Sequence, residues 1–278
     1  MITINYLGEF GNNMFQYSFG RLLAEANKIN LNTTLPRLPC TTVETFNEPK
    51  DKKGTITIGD EIFRSNNPDS KLLKLNPDYD YVLNGFFQDA DLYNRYVSQV
   101  KNFFDIPYTK PVLEKSLVAI RLGDYHGQGY NSEIIHYDYY KTVLSKIKGD
   151  VDISIGGRSR RYSGPGEDNF NGNITSAENE DKYLAHFVTE SHNILSPEKD
   201  FLTEFTTTFK YKTLVLSNST WAWWVGFLSE SKDIYTFEKT GWFTPGIPKC
   251  HGIHVKNLWN IRNISKPIDG SFIDISQL

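Results

Sequence analysis

In Leu117-Val118-Ala119-Ile120-Arg121-Leu122-Gly123-Asp124-Tyr125, four consecutive apolar residues, two of them β-branched, read as a short strand buried on both faces. Such strands occupy the middle of parallel sheets, and this one stops abruptly at Arg121. In open α/β sheets ligands bind beyond the carboxyl ends of the strands, so Arg121 and Gly123 stand where an anionic ligand would sit. A guanidinium is always charged and offers phosphate oxygens a planar fork of donors. Gly123 lets the backbone come close, and Asp124 can hold the Arg121 side chain in one orientation. The plainer alternative is a structural ion pair, Arg121 with Asp124, closing a strand.

Two other stretches carry the same grammar. Val151–Ile155 reads as a strand and runs into Gly156-Gly157-Arg158-Ser159-Arg160-Arg161, where three arginines lie beside a glycine pair. These residues either contact a ligand or form a solvated loop. Residues 162–181 are polar and glycine-rich, the composition of a flexible loop or lid. Thr213–Leu216 reads as a further buried strand leading into Ser217-Asn218-Ser219-Thr220 and then Trp221-Ala222-Trp223-Trp224-Val225-Gly226-Phe227-Leu228. Ser, Asn and Thr cap helices, and a helix start presents unpaired N–H groups and a positive dipole end to an anion. Capping explains Ser219; four consecutive hydroxyl or amide side chains point to a second phosphate cradle. Trp221, Trp224 and Leu228 are expected to form the buried face of that helix.

The amino-terminal half repeats the strand, turn, helix order. Ile2–Leu7 reads as a strand and Gly8-Glu9-Phe10-Gly11-Asn12 as a tight turn, followed by a helix through Asn27 with Phe15, Phe19, Leu22, Leu23 and Ala26 on one apolar face. The G-x-G-x-x-G spacing of a dinucleotide site is absent, which sets an oxidoreductase reading far back. Between Asn30 and Asp78 the chain is polar and Pro-spotted, with short strands expected at Thr55–Ile58 and Leu72–Leu75. Tyr79–Phe87 reads as a strand, Asp89–Phe104 as a helix, Asp105–Pro111 as a linker, and Tyr137–Ile147 and Phe201–Phe209 as helices.

Composition bounds the function. The chain has 278 residues, 39% hydrophobic and 23% charged, with a formal net charge of −3. This is the profile of a globular protein with no general attraction for polyanions, so nucleic acid is not an expected partner and an anionic ligand needs a local cluster of donors. Cys40 and Cys250 are the two cysteines and lie far apart, indicating neither a disulfide framework nor a zinc site. The amino terminus lacks the basic and apolar regions of a signal peptide, and no run approaches the ~20 apolar residues of a membrane span. The expectation is a soluble cytoplasmic protein.

Several of these segments together resemble the bacterial α-1,2-fucosyltransferases, glycosyltransferase family eleven. Gly8-Glu9-Phe10-Gly11-Asn12-Asn13-Met14-Phe15-Gln16-Tyr17 resembles that family's G-G-L-G-N-Q-M-F-Q-Y, Asn84-Gly85-Phe86-Phe87-Gln88 its G-Y-F-Q, Val118–Tyr125 its V-H-V-R-R-G-D-Y, and Leu216–Leu228 its N-S-S-F-S-W-W-x-x-W-L. Order and spacing match from the first strand to about Phe243. The resemblance implies a GT-B-like α/β fold: two Rossmann-like domains with parallel sheets facing a cleft. Residues 1–110 would contact the acceptor, residues 111–255 would hold the nucleotide sugar, and a tail, 256–278, would pack back on the amino-terminal domain.

It further implies inverting transfer of L-fucose from GDP-fucose to a glycan hydroxyl, without a metal or other cofactor. Arg121, Asp124 and Asn12 would serve catalysis. Arg121, Gly123, Gly156, Gly157, Arg158 and Ser217 through Thr220 would bind the donor. Gly11, Asn12, Phe87, Gln88 and His126 would face the acceptor. Asp124, Glu9 and His126 are candidates for the base that accepts the hydroxyl proton. The chain departs from the family at Glu9, Ala119 and Leu122, where the family has Gly, His and Arg, and at Ile155-Gly156-Gly157, where it has Ser-Asp-Asp. Another nucleotide sugar, or a non-catalytic glycan-binding protein, are the competing expectations.

Overall fold

A computed structural model of the chain describes residues 1–61, 72–106, 110–122, 135, 137–156, 177–196, 201–237 and 250–253. The chain divides into two compact units, Met1–Pro107 and Tyr108–Leu278. The expected tail, 256–278, and most of the expected lid, 162–181, lie outside the described residues.

The second unit is built on the opening strand. Leu113–Arg121 (β4) is buried continuously from Ser116 to Ile120, as its apolar run requires. It pairs in parallel with Val151–Gly156 (β5) on one side and Tyr211–Val215 (β7) on the other. His192–Ile194 (β6) extends the sheet beyond β5, and Asp233–Phe237 (β8) and Cys250–Ile253 (β9) extend it beyond β7, all in parallel. The order β6-β5-β4-β7-β8-β9 starts in the middle, works to one edge, then returns to the middle and works to the other. This is the Rossmann-like strand order, and its switch point falls between β4 and β7.

Helices Tyr137–Leu144 (α4), Ala177–Ala185 (α5), Phe201–Thr207 (α6) and Thr220–Leu228 (α7) connect these strands. Two buried phenols fasten α4 to the sheet: Tyr139 donates to the carbonyls of Leu216 (3.0 Å) and Tyr235 (3.2 Å), and Tyr140 to Ala119 (3.4 Å). At the amino-terminal edge Tyr211 and Asn193 donate to the buried Asp152 carboxylate at 2.8 and 2.9 Å, tying β7 and β6 to β5. α7 is not an amphipathic helix with Trp221 inward. Ala222 to Leu228 are all buried and Trp221 is the half-exposed ring, because Ala222 and Gly226 let the helix pack on both sides.

In the first unit Ile2–Ile4 (β1), Gly54–Ile58 (β2) and Tyr79–Leu83 (β3) form a parallel sheet of order β1-β3-β2. Phe10–Asn27 (α1) is buried nearly all round through its middle, more than the one apolar face expected. Gly20 allows this: a Cβ there would stand 2.8 Å from the Ile4 side chain and 3.1 Å from Leu83. Arg21 is buried within it because three carbonyls, those of Thr41, Thr42 and Phe103, and the Glu25 carboxylate take its protons. The second expected helix is broken at Tyr96 into Ala90–Arg95 (α2) and Val97–Lys101 (α3).

Three expectations need correction here. Leu72–Leu75 is not a strand, because the Asn27 amide takes its backbone instead, donating to Leu73 O and accepting from Leu75 N. Strand β3 ends at Leu83 rather than Phe87 because Asn84-Gly85 turns under the Asp60 carboxylate. Gly11 belongs to α1 rather than to the preceding turn, where Gly8 alone takes positive φ (+67°).

Candidate functional site

In the second unit the sheet gathers the predicted donor-side residues that are described. Arg121 is the last residue of β4 and pairs in register with Gly156, the last of β5. The Arg121 side chain lies along Gly156: a Cβ there would meet Arg121 Cδ and Nη1 at 3.9 Å. Strand β7 ends at Val215, opposite Val118, so Ser217, Asn218 and Ser219 leave the carboxyl edge on the strand next to Arg121. Ser217, Asn218 and Ser219 are 3%, 2% and 7% exposed, polar groups held in a nearly dry setting. Ser219 caps α7, its hydroxyl accepting from Ala222 N at 3.1 Å, and Ser217 Oγ stands 3.4 Å from Ser219 Oγ. Capping and anion binding use the same helix start, and capping accounts for the Ser219 oxygen. Gly123, Asp124, His126, Gly157 and Arg158 lie outside the described residues. Ala119 and Leu122, two positions that differ from the motif the chain resembles, are core residues, 4% and 0% exposed.

In the first unit a polar cluster occupies the carboxyl edge of the sheet. Gln16, fully buried on α1, holds the turn after β1 and the turn after β3 together: its amide accepts from Leu7 N (3.1 Å) and donates to Leu7 O (3.1 Å) and Gly85 O (3.0 Å). Asn12 accepts from Gln88 at 2.8 Å, and Asn5 donates to Asn84 at 2.9 Å. Asp60, just past β2, receives the N–H groups of Phe86 (3.0 Å) and Phe87 (2.7 Å). A Cβ on Gly85 would stand 2.9 Å from the Asp60 carboxyl carbon, so that turn is fitted to the carboxylate.

Of the four described residues expected to face an acceptor, Asn12 and Gln88 do come together and Gly11 and Phe87 do not face outward. Gly11 is buried in the first turn of α1. Phe87 is fully buried and stacks on Phe19 with ring centroids 4.6 Å apart; its φ of +52° turns the ring inward and leaves Phe86, 40% exposed, outside. Burial, with Asp89 and Asp60 nearby, pushes the Tyr93 phenol well above its ordinary pKa. It therefore stays protonated and donates to Phe87 O at 2.6 Å.

Asp60, Asn5 and Gln16 are site residues that the sequence reading missed. Asp60 follows a short strand in a stretch whose order composition does not reveal, and Gln16 sat within a quoted motif with no role. Among the described residues no three His, Cys, Asp or Glu side chains are grouped as a metal site, and no helix is long and apolar enough to cross a membrane. No protein-family model matches the sequence, and no curated protein matches it.

Proposed function

We propose that the chain is a glycosyltransferase that moves a sugar from a nucleoside diphosphate to a glycan hydroxyl, with L-fucose from GDP-fucose as the favoured donor. The observation that carries this reading is Arg121 at the switch point of a Rossmann-like parallel sheet, lying along Gly156 with the buried Ser217–Ser219 helix entry on the next strand. Switch points of this kind take nucleotides, and a helix start beside a guanidinium suits a diphosphate. The motif resemblance to the α-1,2-fucosyltransferases supplies the sugar and an α-1,2 linkage. The finer architecture proposed is GT-B, as in the family whose motifs the chain resembles.

In the proposed reaction the acceptor oxygen attacks the anomeric carbon as the bond from that carbon to the diphosphate oxygen breaks, inverting the configuration. Negative charge grows on the departing diphosphate. Arg121 and the backbone N–H groups at the start of α7 face that charge, a role worth about 3–4 kcal/mol per well-placed donor. The hydroxyl proton passes to a base among Glu9, Asp124 and His126, and the first unit orients the acceptor through Asn12 and Gln88. Metal-free chemistry is part of the proposal, as in the family it resembles.

A donor with a different nucleobase is a second reading, favoured by Ala119 standing where the resembled motif has a His, and by Gly156 and Gly157 standing where it has two carboxylates. Incubation with a panel of nucleotide sugars and oligosaccharides, followed by mass analysis of the products, tests both. Addition of deoxyhexose from GDP-fucose is the expected result; another sugar selects the second reading, and no transfer or donor hydrolysis refutes both.

A further inference from the structure

Residues 84–88 form a loop held from every side, and what that loop presents outward is one aromatic ring between two amide pairs. From below, the Asp60 carboxylate takes the N–H groups of Phe86 and Phe87. From within, Gln16 donates to Gly85 O and Tyr93 to Phe87 O. Phe87 is fastened by its stack on Phe19 while its backbone sits at φ +52°, a left-handed conformation that a Phe adopts only when its surroundings over-determine it.

The opposite facing of Phe86 and Phe87 needs no such strain; what the strained turn fixes is that the chain leaves the line of β3 there. Two adjacent phenylalanines in extended backbone would point to opposite faces, one in and one out, with no strain at all. Here the chain instead turns sharply, burying Phe87 and standing the Phe86 ring at the carboxyl edge, 40% exposed. A Cβ on Gly8 would stand 3.3 Å from Phe86 Cε1 and 2.3 Å from Asn12 Nδ2, which puts the ring and the Asn12 amide of the Asn12–Gln88 pair together on the face of Gly8 where a side chain would otherwise stand. Asn84, exposed at the start of the same loop, carries the Asn5 amide.

We propose that Phe86 is a stacking platform for one sugar ring of the glycan, with the Asn12–Gln88 and Asn5–Asn84 amide pairs engaging that ring's hydroxyls. This rests on the reading of the chain as an enzyme that acts on glycans. A pyranose has an apolar C–H face and a rim of hydroxyls, each of which donates and accepts. A flat ring edged by carboxamides is its complement: each carboxamide has two N–H donors and an acceptor oxygen, more than its one bond to its pair partner uses. The charged side chains beside the cluster, Asp60, Glu9 and Asp89, are all acidic, and the Asp60 carboxylate is directed at backbone N–H groups, so the surface suits a neutral polyol rather than a phosphate. The rigidity of the loop serves binding directly, because a platform fixed beforehand loses little freedom when the sugar arrives.

The test uses the full chain, Phe86→Ala, Phe86→Trp and Asn84→Ala, probed on a printed array of defined oligosaccharides without donor and, in parallel, in transfer kinetics. Melting temperatures are recorded for all four proteins; both substituted side chains are exposed, so all are expected to fold. The expected result is at least tenfold weaker glycan binding for Phe86→Ala, a smaller loss for Asn84→Ala, recovery with Phe86→Trp, and an acceptor KM raised by the same factor with the donor KM within twofold of wild type. Unchanged glycan binding or acceptor KM in Phe86→Ala overturns the platform even if transfer is seen, as does a wild-type protein that binds no oligosaccharide. Glycan binding that depends on Phe86 without transfer from any nucleotide sugar keeps the platform and removes the transferase reading instead.

Discussion

Replacing Asp60 with Ala removes the acceptor for two backbone N–H groups and allows Phe87 to leave its left-handed conformation. The two effects oppose each other. The Phe86 bond is open to solvent and contributes about 1 kcal/mol, while the part-buried Phe87 bond to a carboxylate contributes about 2–3 kcal/mol. Escape from the left-handed region returns about 1–2 kcal/mol. The balance is a loop opened more easily by about 2 kcal/mol, roughly a thirtyfold change in the local opening equilibrium. Native-state hydrogen exchange at the Phe86 and Phe87 amides measures this, with urea unfolding as the global control. Exchange should accelerate by that factor in Asp60→Ala and by less in Asp60→Asn, which keeps a neutral acceptor oxygen. Amides that exchange as slowly in Asp60→Ala as in wild type would show that the carboxylate does not hold the loop, and the argument for a preset Phe86 would go with it.

Further outcomes follow from the two carboxyl edges and from the amino-terminal sheet. For Glu48, burial alone would raise the pKa, but the Lys52 ammonium, the terminal ammonium and the Asn30 N–H outweigh it and hold the carboxyl at about 2. Its folded pKa is therefore below the unfolded value of about 4.3, so the stability it contributes is present above that pH and is lost as pH falls toward 2. Urea midpoints measured between about pH 5 and pH 2 should fall in the wild type and stay flatter in Glu48→Gln, by about 2–3 kcal/mol. Parallel pH profiles would contradict this. Ser219→Ala should lower stability by about 1 kcal/mol through loss of the α7 cap, seen in denaturant unfolding. Ser219→Asp should keep the cap and the stability yet abolish nucleotide binding by setting a negative charge where the diphosphate is proposed to sit; nucleotide binding that survives this change would move the phosphate site elsewhere.

What the sequence made legible was what depends on runs of similar residues. The Leu117–Ile120 strand is a continuous apolar run because it is an interior strand buried on both faces; Val151–Ile155 was found by its alternating Val, Ile and Ile although Asp152 and Ser154 are buried too, and the strand before Ser217 by the apolar Leu214 and Val215 at its end. Strands β6 and β9 went unseen, and β8 with them; in β6 His192, Asn193 and Ile194 are half-exposed or exposed, so an edge strand shows no apolar run. The break at Tyr96 inside an apparently continuous helical pattern and the diversion of Leu72–Leu75 onto Asn27 both depend on contacts between residues far apart in the chain. At the candidate sites, Arg121, Gly156 and Ser217–Ser219 were visible because each lies at or just past the carboxyl end of a strand. Phe86 and Phe87 were not distinguishable, because which ring points out is set by Asp60, twenty-six residues earlier.

The most direct test of the central claim is calorimetric titration of the wild type and of Arg121→Ala with GDP, UDP, CDP and dTDP. Nucleotide binding at the switch point predicts selective binding of one diphosphate, GDP in the favoured reading, lost in Arg121→Ala while its unfolding transition stays where it was. Absence of binding to all four, or binding that Arg121→Ala leaves intact, would contradict it.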